Sequence, residues 1–404
     1  MSTHNIIDSF VKLKNYCETE GFKGWDPFDG LNSKVLKKIL PLKKSDIMRL
    51  IVIQGFKRCP WNLRPLFGVP KDYNAKGIGL FLQGYCNLVT LVEQHPDLQK
   101  DLGTKEELLA KVNDLAELLI SLRSKGYHGS CWGYNFDWQS RRLFLFPAYC
   151  PTVVATNFCA TALIDAYQIT GKKDYLDVAL DSANFILSDL HHDEYLGEKM
   201  ISYSPLQGND FVSNASLLGS KVLAYCYKYT GNEKYLEVAR SSVKACCSGQ
   251  REDGAWTYSQ VPPKLWVDSF HTGYNLDGLI AYEEQTGDTD FHKNIERGFD
   301  YYIKHFFSED GSPKYYDIQQ YPIDIHCPGQ LFVTLHRLNK FDEYKSLADK
   351  VLAWTLKNMQ DPKGYFYYQL KKGISSKISY MRWSNAFMFD ALSYYLLSVY
   401  CKDK

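Results

Sequence analysis

Four stretches of this sequence repeat one design: an apolar helix, a short turn and an amphipathic helix. That repetition limits the folds open to the chain more than any other feature. The stretches begin at Ala162, Lys221, Leu279 and Leu331, and their turns are Thr170-Gly171, Thr230-Gly231, Thr286-Gly287 and a degenerate Asn339-Lys340. Gly directly after the last helical residue is the expected left-handed cap. An aromatic opens each second helix: Tyr175, Tyr235, Phe291 and Tyr344. The turns recur every 53–60 residues, too long a period for a tetratricopeptide array.

Two more units fit at the ends. One pairs 78–93 with 105–123, and the other is a final helix over 383–400 whose partner would come from Val35–Gly55. The first helices are apolar nearly all round and carry small residues (Ala160, Ala162, Ala166; Ala215, Gly219, Ala224), the mark of helices buried on every side. The second helices show a charged face, as in Lys173, Asp174, Asp177 and Asp181. Buried helices inside a ring of amphipathic ones make an all-α fold, an (α/α)6 toroid of six helical hairpins. A straight solenoid would expose its ends. The expectation is one domain over 1–404, with 1–75 packing to close the ring.

Turns within a unit are short, but the connections between units are long, and long connections in a compact domain are usually functional. They share a look: HGSCWGYNFDW (128–138), DGAWTYS (253–259), DGSPKYY (310–316) and KGYFYYQL (363–370). Each sets Gly beside clustered aromatics, with an alternation that suggests short β-hairpins. In a toroid these loops gather at one end, over the N-termini of the inner helices.

Net charge is +1, which gives no field to attract nucleic acid. Eleven cysteines without a regular CxxC framework read as buried thiols of a reducing compartment. No secretion signal stands at the start and no apolar run is long enough to span a membrane, so a cytoplasmic location is expected. The glycine motifs of nucleotide sites and the GxSxG elbow are missing, and no cofactor is expected.

The hairpin count and Gly-aromatic loops resemble the six-hairpin glycosidase-like superfamily of hydrolases, N-acylglucosamine and cellobiose epimerases and uronate-acting lyases. More narrowly, FKGWDPFDGLNSK (22–34), RCPWNLRPLFG (58–68) and WVDSFHTGYNLDG (266–278) look like an uncharacterised family encoded beside bacterial polysaccharide-assembly genes. The resemblance implies a carbohydrate context and carries over no catalytic residues.

The residues themselves nominate a site. Asp268, His271 and Tyr274 are spaced one helical turn apart at the start of an inner helix. His326 takes nearly the same place in the next unit, with Asp324 two residues before it. A carboxylate beside an imidazole sets its tautomer and raises its basicity. Asp268 could equally be a plain N-cap. Metal binding by these residues lacks the compact spacing that would support it, and no metal is assigned.

Substrate contacts are expected from Trp132, Tyr134, Asp137, Tyr203, Trp256, Trp266 and Trp383, since sugar rings stack on aromatics. Buried amides at Asn157 and Asn214 would read hydroxyls, and Arg141 or Arg382 a sugar carboxylate. Three readings stay open: a glycan epimerase or lyase working by proton transfer, a glycoside hydrolase using two of Asp137, Asp210, Asp268 and Asp324, and a non-catalytic glycan-binding or scaffold protein of a polysaccharide-assembly system. All three imply an oligosaccharide partner.

Overall fold

The computed structural model describes residues 3–39, 42, 45–139 and 145–401. The inner helices are α4 (Ala75–Gln94), α7 (Val153–Thr170), α10 (Ser213–Thr230), α12 (Ser269–Thr286), α14 (His326–Arg337) and α16 (Phe387–Tyr400). Each packs on the next and α16 packs back on α4, so the ring closes. The outer helices are α1 (Thr3–Thr19), α6 (Lys105–Ser121), the broken pair α8 (Lys173–Leu180) and α9 (Ser182–Ser188), α11 (Glu233–Ser248), α13 (His292–Phe306) and α15 (Lys345–Met359). Short helices α2 (Leu36–Ile39), α3 (Asp46–Arg58) and α5 (Gln99–Leu102) lie outside this scheme. The expected toroid is therefore present.

Its local chemistry follows the sequence. Gly171, Gly231 and Gly287 end α7, α10 and α12 in the left-handed region, at φ of 72°, 67° and 76°. In the degenerate fourth turn Asn339 takes the same conformation, at φ 50°, which Asn tolerates better than most residues. At the other end, Asn74, Thr152 and Asp268 cap α4, α7 and α12 through their side chains.

The partner of α16 differs from the one the sequence suggests. Helix α1 fills that place, with the Phe10 and Phe389 rings 4.9 Å apart and Gln360 donating to the Ser9 carbonyl. Helix α3, inside the segment 35–55, instead joins a separate apolar cluster of Leu31, Val52, Ile53, Phe56 and Val69 against Trp138. The reason lies in composition. Helix α1 offers Ile6, Ile7, Phe10, Leu13 and Cys17 on one buried stripe, whereas α3 exposes Ile47 and Ile51.

The long connections carry the short strands β1 (Trp138–Gln139), β2 (Leu145–Phe146), β3 (His192–Tyr195), β4 (Glu198–Ile201), β5 (Ile323–Asp324), β6 (Tyr367–Leu370) and β7 (Ser376–Ser379). They form two antiparallel hairpins, β1-β2 and β3-β4, and a three-stranded sheet, β5-β6-β7. Between β7 and α16, residues Met381–Ala386 form a π-helical turn. Such wide turns often mark functional positions, and this one carries buried Arg382 and part-exposed Trp383.

Candidate active site at the mouth of the toroid

The N-terminal ends of the inner helices meet around one aromatic cluster. Lys76 of α4 donates to the Tyr274 hydroxyl of α12 (3.2 Å) and lies 4.1 Å above the Phe158 ring of α7. Phe270 of α12 packs edge-on to His326 of α14 (5.1 Å) and Trp383 (6.2 Å). Tyr134, Phe158, Tyr203, Tyr258, Tyr315 and Trp383 are all partly exposed here. They come from six different segments that only ring closure brings together.

The start of α12 is both cap and dyad. One carboxylate oxygen of Asp268 accepts the His271 backbone N–H at 3.1 Å, which caps α12. The other stands 2.7 Å from His271 Nδ1 and also accepts the Trp266 indole N–H at 3.0 Å. A carboxylate so placed holds the proton on Nδ1 and leaves the lone pair on Nε2. The His271 side chain is 20% exposed while that of Asp268 is fully buried. Tyr258 packs on one edge of the imidazole at 4.8 Å and stacks at 4.7 Å on Trp266, itself 39% exposed.

His326 departs from expectation. Its ring is sandwiched between Trp383 (4.3 Å) and Phe387 (4.0 Å) and is 2% exposed. Nε2–H donates to the Trp383 carbonyl at 2.8 Å, and Nδ1 is buried without a partner. Burial, with Lys76 and Arg382 nearby, holds its pKa well below the ordinary value, so the ring is neutral. Asp324 does not orient that ring. It accepts the His326 backbone N–H, the Trp383 indole N–H and the Gln369 amide. Burial raises its carboxyl to about 6. The matched acid–histidine spacing thus yields one exposed dyad and one core packing unit.

Arg382 also differs. Its Nε donates to Asp26 at 2.6 Å, and its guanidinium covers the Tyr134 and Trp383 rings at 5.0 and 4.8 Å. It is 5% exposed and already holds a carboxylate, so it is a tie between the N-terminal segment and the π-turn rather than a free sugar reader. Arg141 lies outside the described residues.

Burial takes four further residues away from the mouth, and a backbone hydrogen bond occupies a fifth. Trp132 is sealed, with its indole N–H on the Leu119 carbonyl. Trp256 is sealed too, with its N–H on the Cys246 carbonyl. Trp256 lies on Gly298, where a Cβ would fall 2.2 Å from the indole. Asn157 and Asn214 are buried with their amide oxygens unpartnered, so they do not face an open mouth. Asp137 binds the Ala148 backbone N–H at 2.7 Å and fixes its own loop. Tyr134, Tyr203, Trp266 and Trp383 do reach the mouth.

Lys76 escaped the sequence reading. Its ammonium form is disfavoured by burial and by Arg382, which hold its pKa well below the ordinary value. A lysine one residue into an apolar helix, in AKGIGLF, was the only available signal. The N-terminal segment was also unforeseen as a wall. Phe28 packs on Trp383 and Trp138, Trp25 accepts the Met381 N–H through its carbonyl, and Arg64 joins Asp29 (2.6 Å) to Tyr380 (2.9 Å). A narrow crevice beside this wall is lined by Asp26, Asn74, Asn135 and Arg382; His271 is not part of its lining.

No protein-family profile matches the chain, and no curated protein matches it in sequence. Solved structures do match in fold. An unsaturated glucuronyl hydrolase specific for heparin aligns over 99% of this chain and 98% of its own, with a TM-score of 0.61 and 13% identity. A cellobiose 2-epimerase from Bacillus thermoamylovorans aligns over 80% and 90%, with a TM-score of 0.59 and 13% identity. A polysaccharide lyase aligns over 100% of both chains, with a TM-score of 0.59 and 14% identity. The likeness is one of architecture, and the toroid is the element they share.

Proposed function

We propose that this chain is an enzyme acting on a glycan, moving a proton at a sugar carbon through His271. One observation carries the proposal: an imidazole held by a buried carboxylate at 2.7 Å, with Nε2 left unbonded among the described residues, in a partly exposed mouth walled by aromatics. That is the equipment of a general base. The structural neighbours act on glycans by epimerisation, elimination and hydrolysis, which supports the substrate class and leaves the reaction to the site.

In the favoured reaction the substrate carries a uronate. Nε2 of His271 takes the proton from the carbon next to the sugar carboxylate. In elimination the electron pair forms the C=C bond as the C–O bond to the next sugar breaks, and the departing oxygen takes up the proton that His271 had removed. In epimerisation water delivers a proton to the opposite face, and His271 passes the one it took to solvent. Tyr274 is 2% exposed and its hydroxyl is engaged by Lys76, so it packs against His271 and takes no direct part in the reaction. Lys264, half-buried on the loop that carries Trp266, is a rim cation suited to the carboxylate.

The paired-carboxylate hydrolase has less support. Asp268 serves His271 and Trp266, Asp324 is buried in three hydrogen bonds, and Asp137 pins a backbone N–H. The test is a mass-spectrometric screen of uronate-containing oligosaccharides in deuterated water. Elimination products or deuterium at a sugar carbon, absent with His271→Ala, are expected. Hydrolysis that survives His271→Ala, or binding without turnover, would reject the reading.

A further inference from the structure

Beside the mouth cluster, the segment from His191 to the start of α10 brings together three groups that the proposed chemistry does not use. His191 precedes β3, Asp193 lies on it, and Asp210 stands just before α10. One ligand atom from each lies within 4.8 Å of the others. The carboxylates come from positions 17 residues apart, so the fold, not local sequence, pairs them.

The pairing is costly as it stands. Asp193 Oδ2 and Asp210 Oδ1 are shielded from solvent without a hydrogen-bond partner, although the three side chains are only part-buried, His191 at 30% and Asp210 at 19% exposed. His191 Nδ1 is 3.5 Å from Asp210 Oδ1, too long for a good hydrogen bond. Lys264 is the nearby cation, but it makes no ion pair with either acid among the described residues. Two carboxylates this close repel each other, and an unseen ion is a standard explanation for shielded oxygens left without a partner.

We infer that His191, Asp193 and Asp210 form a binding site for a first-row divalent cation, with zinc or manganese favoured over calcium or magnesium. One imidazole nitrogen and two carboxylates suit those ions, while calcium and magnesium prefer oxygen alone. Three protein ligands leave room for water or a sugar hydroxyl. The ion would tie β3 to the segment before α10. That segment accepts the Tyr203 N–H through the Asn209 carbonyl at 3.2 Å, so the ion would fix one aromatic of the mouth. The competing account is a proton shared between the two acids, consistent with the raised pKa that burial and Asp193 give Asp210.

The experiment uses the full chain, stripped with chelator and dialysed, then titrated with Zn²⁺, Mn²⁺, Ca²⁺ and Mg²⁺ separately. Calorimetry and elemental analysis after gel filtration read uptake. One zinc or manganese per chain is expected, with affinity reduced at least about 10-fold by Asp210→Asn, since even residues behind metal ligands cost 10–100-fold. His191→Ala should act alike, and circular dichroism checks that each variant folds. No stoichiometric uptake, or uptake that Asp210→Asn and His191→Ala leave unchanged, would overturn the site. Retained calcium or magnesium in place of zinc or manganese would overturn the ion assignment.

Discussion

The Asp268 carboxylate holds His271 twice: through the backbone N–H at 3.1 Å and through ring Nδ1 at 2.7 Å. Helix cap and imidazole orienter are the same side chain. The two roles can be separated, because Asn caps a helix about as well as Asp but offers only one acceptor.

Asp268→Asn keeps the cap but turns its NH₂ toward the Trp266 indole N–H, so it should cost about 1–3 kcal/mol of stability. It should also lower kcat, because an amide NH₂ facing Nδ1 drives the proton to Nε2 and removes the base. Once a substrate is identified, His271→Ala should lower kcat by about 10²–10⁴. Steady-state kinetics beside melting curves check both. Equal activity of the two variants and wild type would place the base elsewhere.

Asp324 predicts a pH effect on stability. Its carboxyl is raised to about 6 by burial, so between about pH 4 and 6 the folded chain holds a proton that the unfolded chain has released. Stability contributed by this group is therefore present at low pH and falls as pH rises to 6, then levels off. Asp324→Asn lacks that loss. The melting temperature of Asp324→Asn minus that of wild type should grow from pH 4 to 6 and stay constant above. Asp29, also raised to about 6, is common to both proteins and cancels.

Arg382 and Asp26 are both nearly buried and bonded at 2.6 Å. Arg382→Ala strands the carboxylate and should cost about 3–5 kcal/mol, a larger effect than losing a ligand contact. Replacing both, as Arg382→Met with Asp26→Leu, should recover much of it. Denaturant unfolding measures the difference. A single variant of unchanged stability would show that the pair does not hold the N-terminal segment in place.

Two tryptophans should separate by role. Trp132→Ala opens a core cavity and should destabilise by about 3–5 kcal/mol. Trp266→Ala, on an exposed ring stacked with Tyr258, should cost far less stability yet weaken oligosaccharide binding. Calorimetric titration with any bound glycan distinguishes them.

The repeat, its turns and the closed ring were legible in the sequence because they rest on local rules. Apolar periodicity sets which helices are buried, and a Gly or Asn after the last turn sets where they end. The dyad was legible for the same reason, since Asp268 and His271 share one helical turn. His326 carries the same short-range pattern. It reads differently only because Trp383 of the π-turn and Phe387 of α16 cover its two faces. Exposure is a property of what arrives from elsewhere in the chain. Trp132 and Trp266 look alike in loops of like composition, yet one meets the Leu119 carbonyl and the other meets solvent. Lys76 beside Tyr274, Asp26 on Arg382 and Asp193 against Asp210 join residues between 17 and 356 positions apart. No local energy term selects such pairs. They are fixed when the ring closes and the N-terminal segment settles against its mouth, so tertiary structure alone decided which polar groups are spent on the fold and which remain for chemistry.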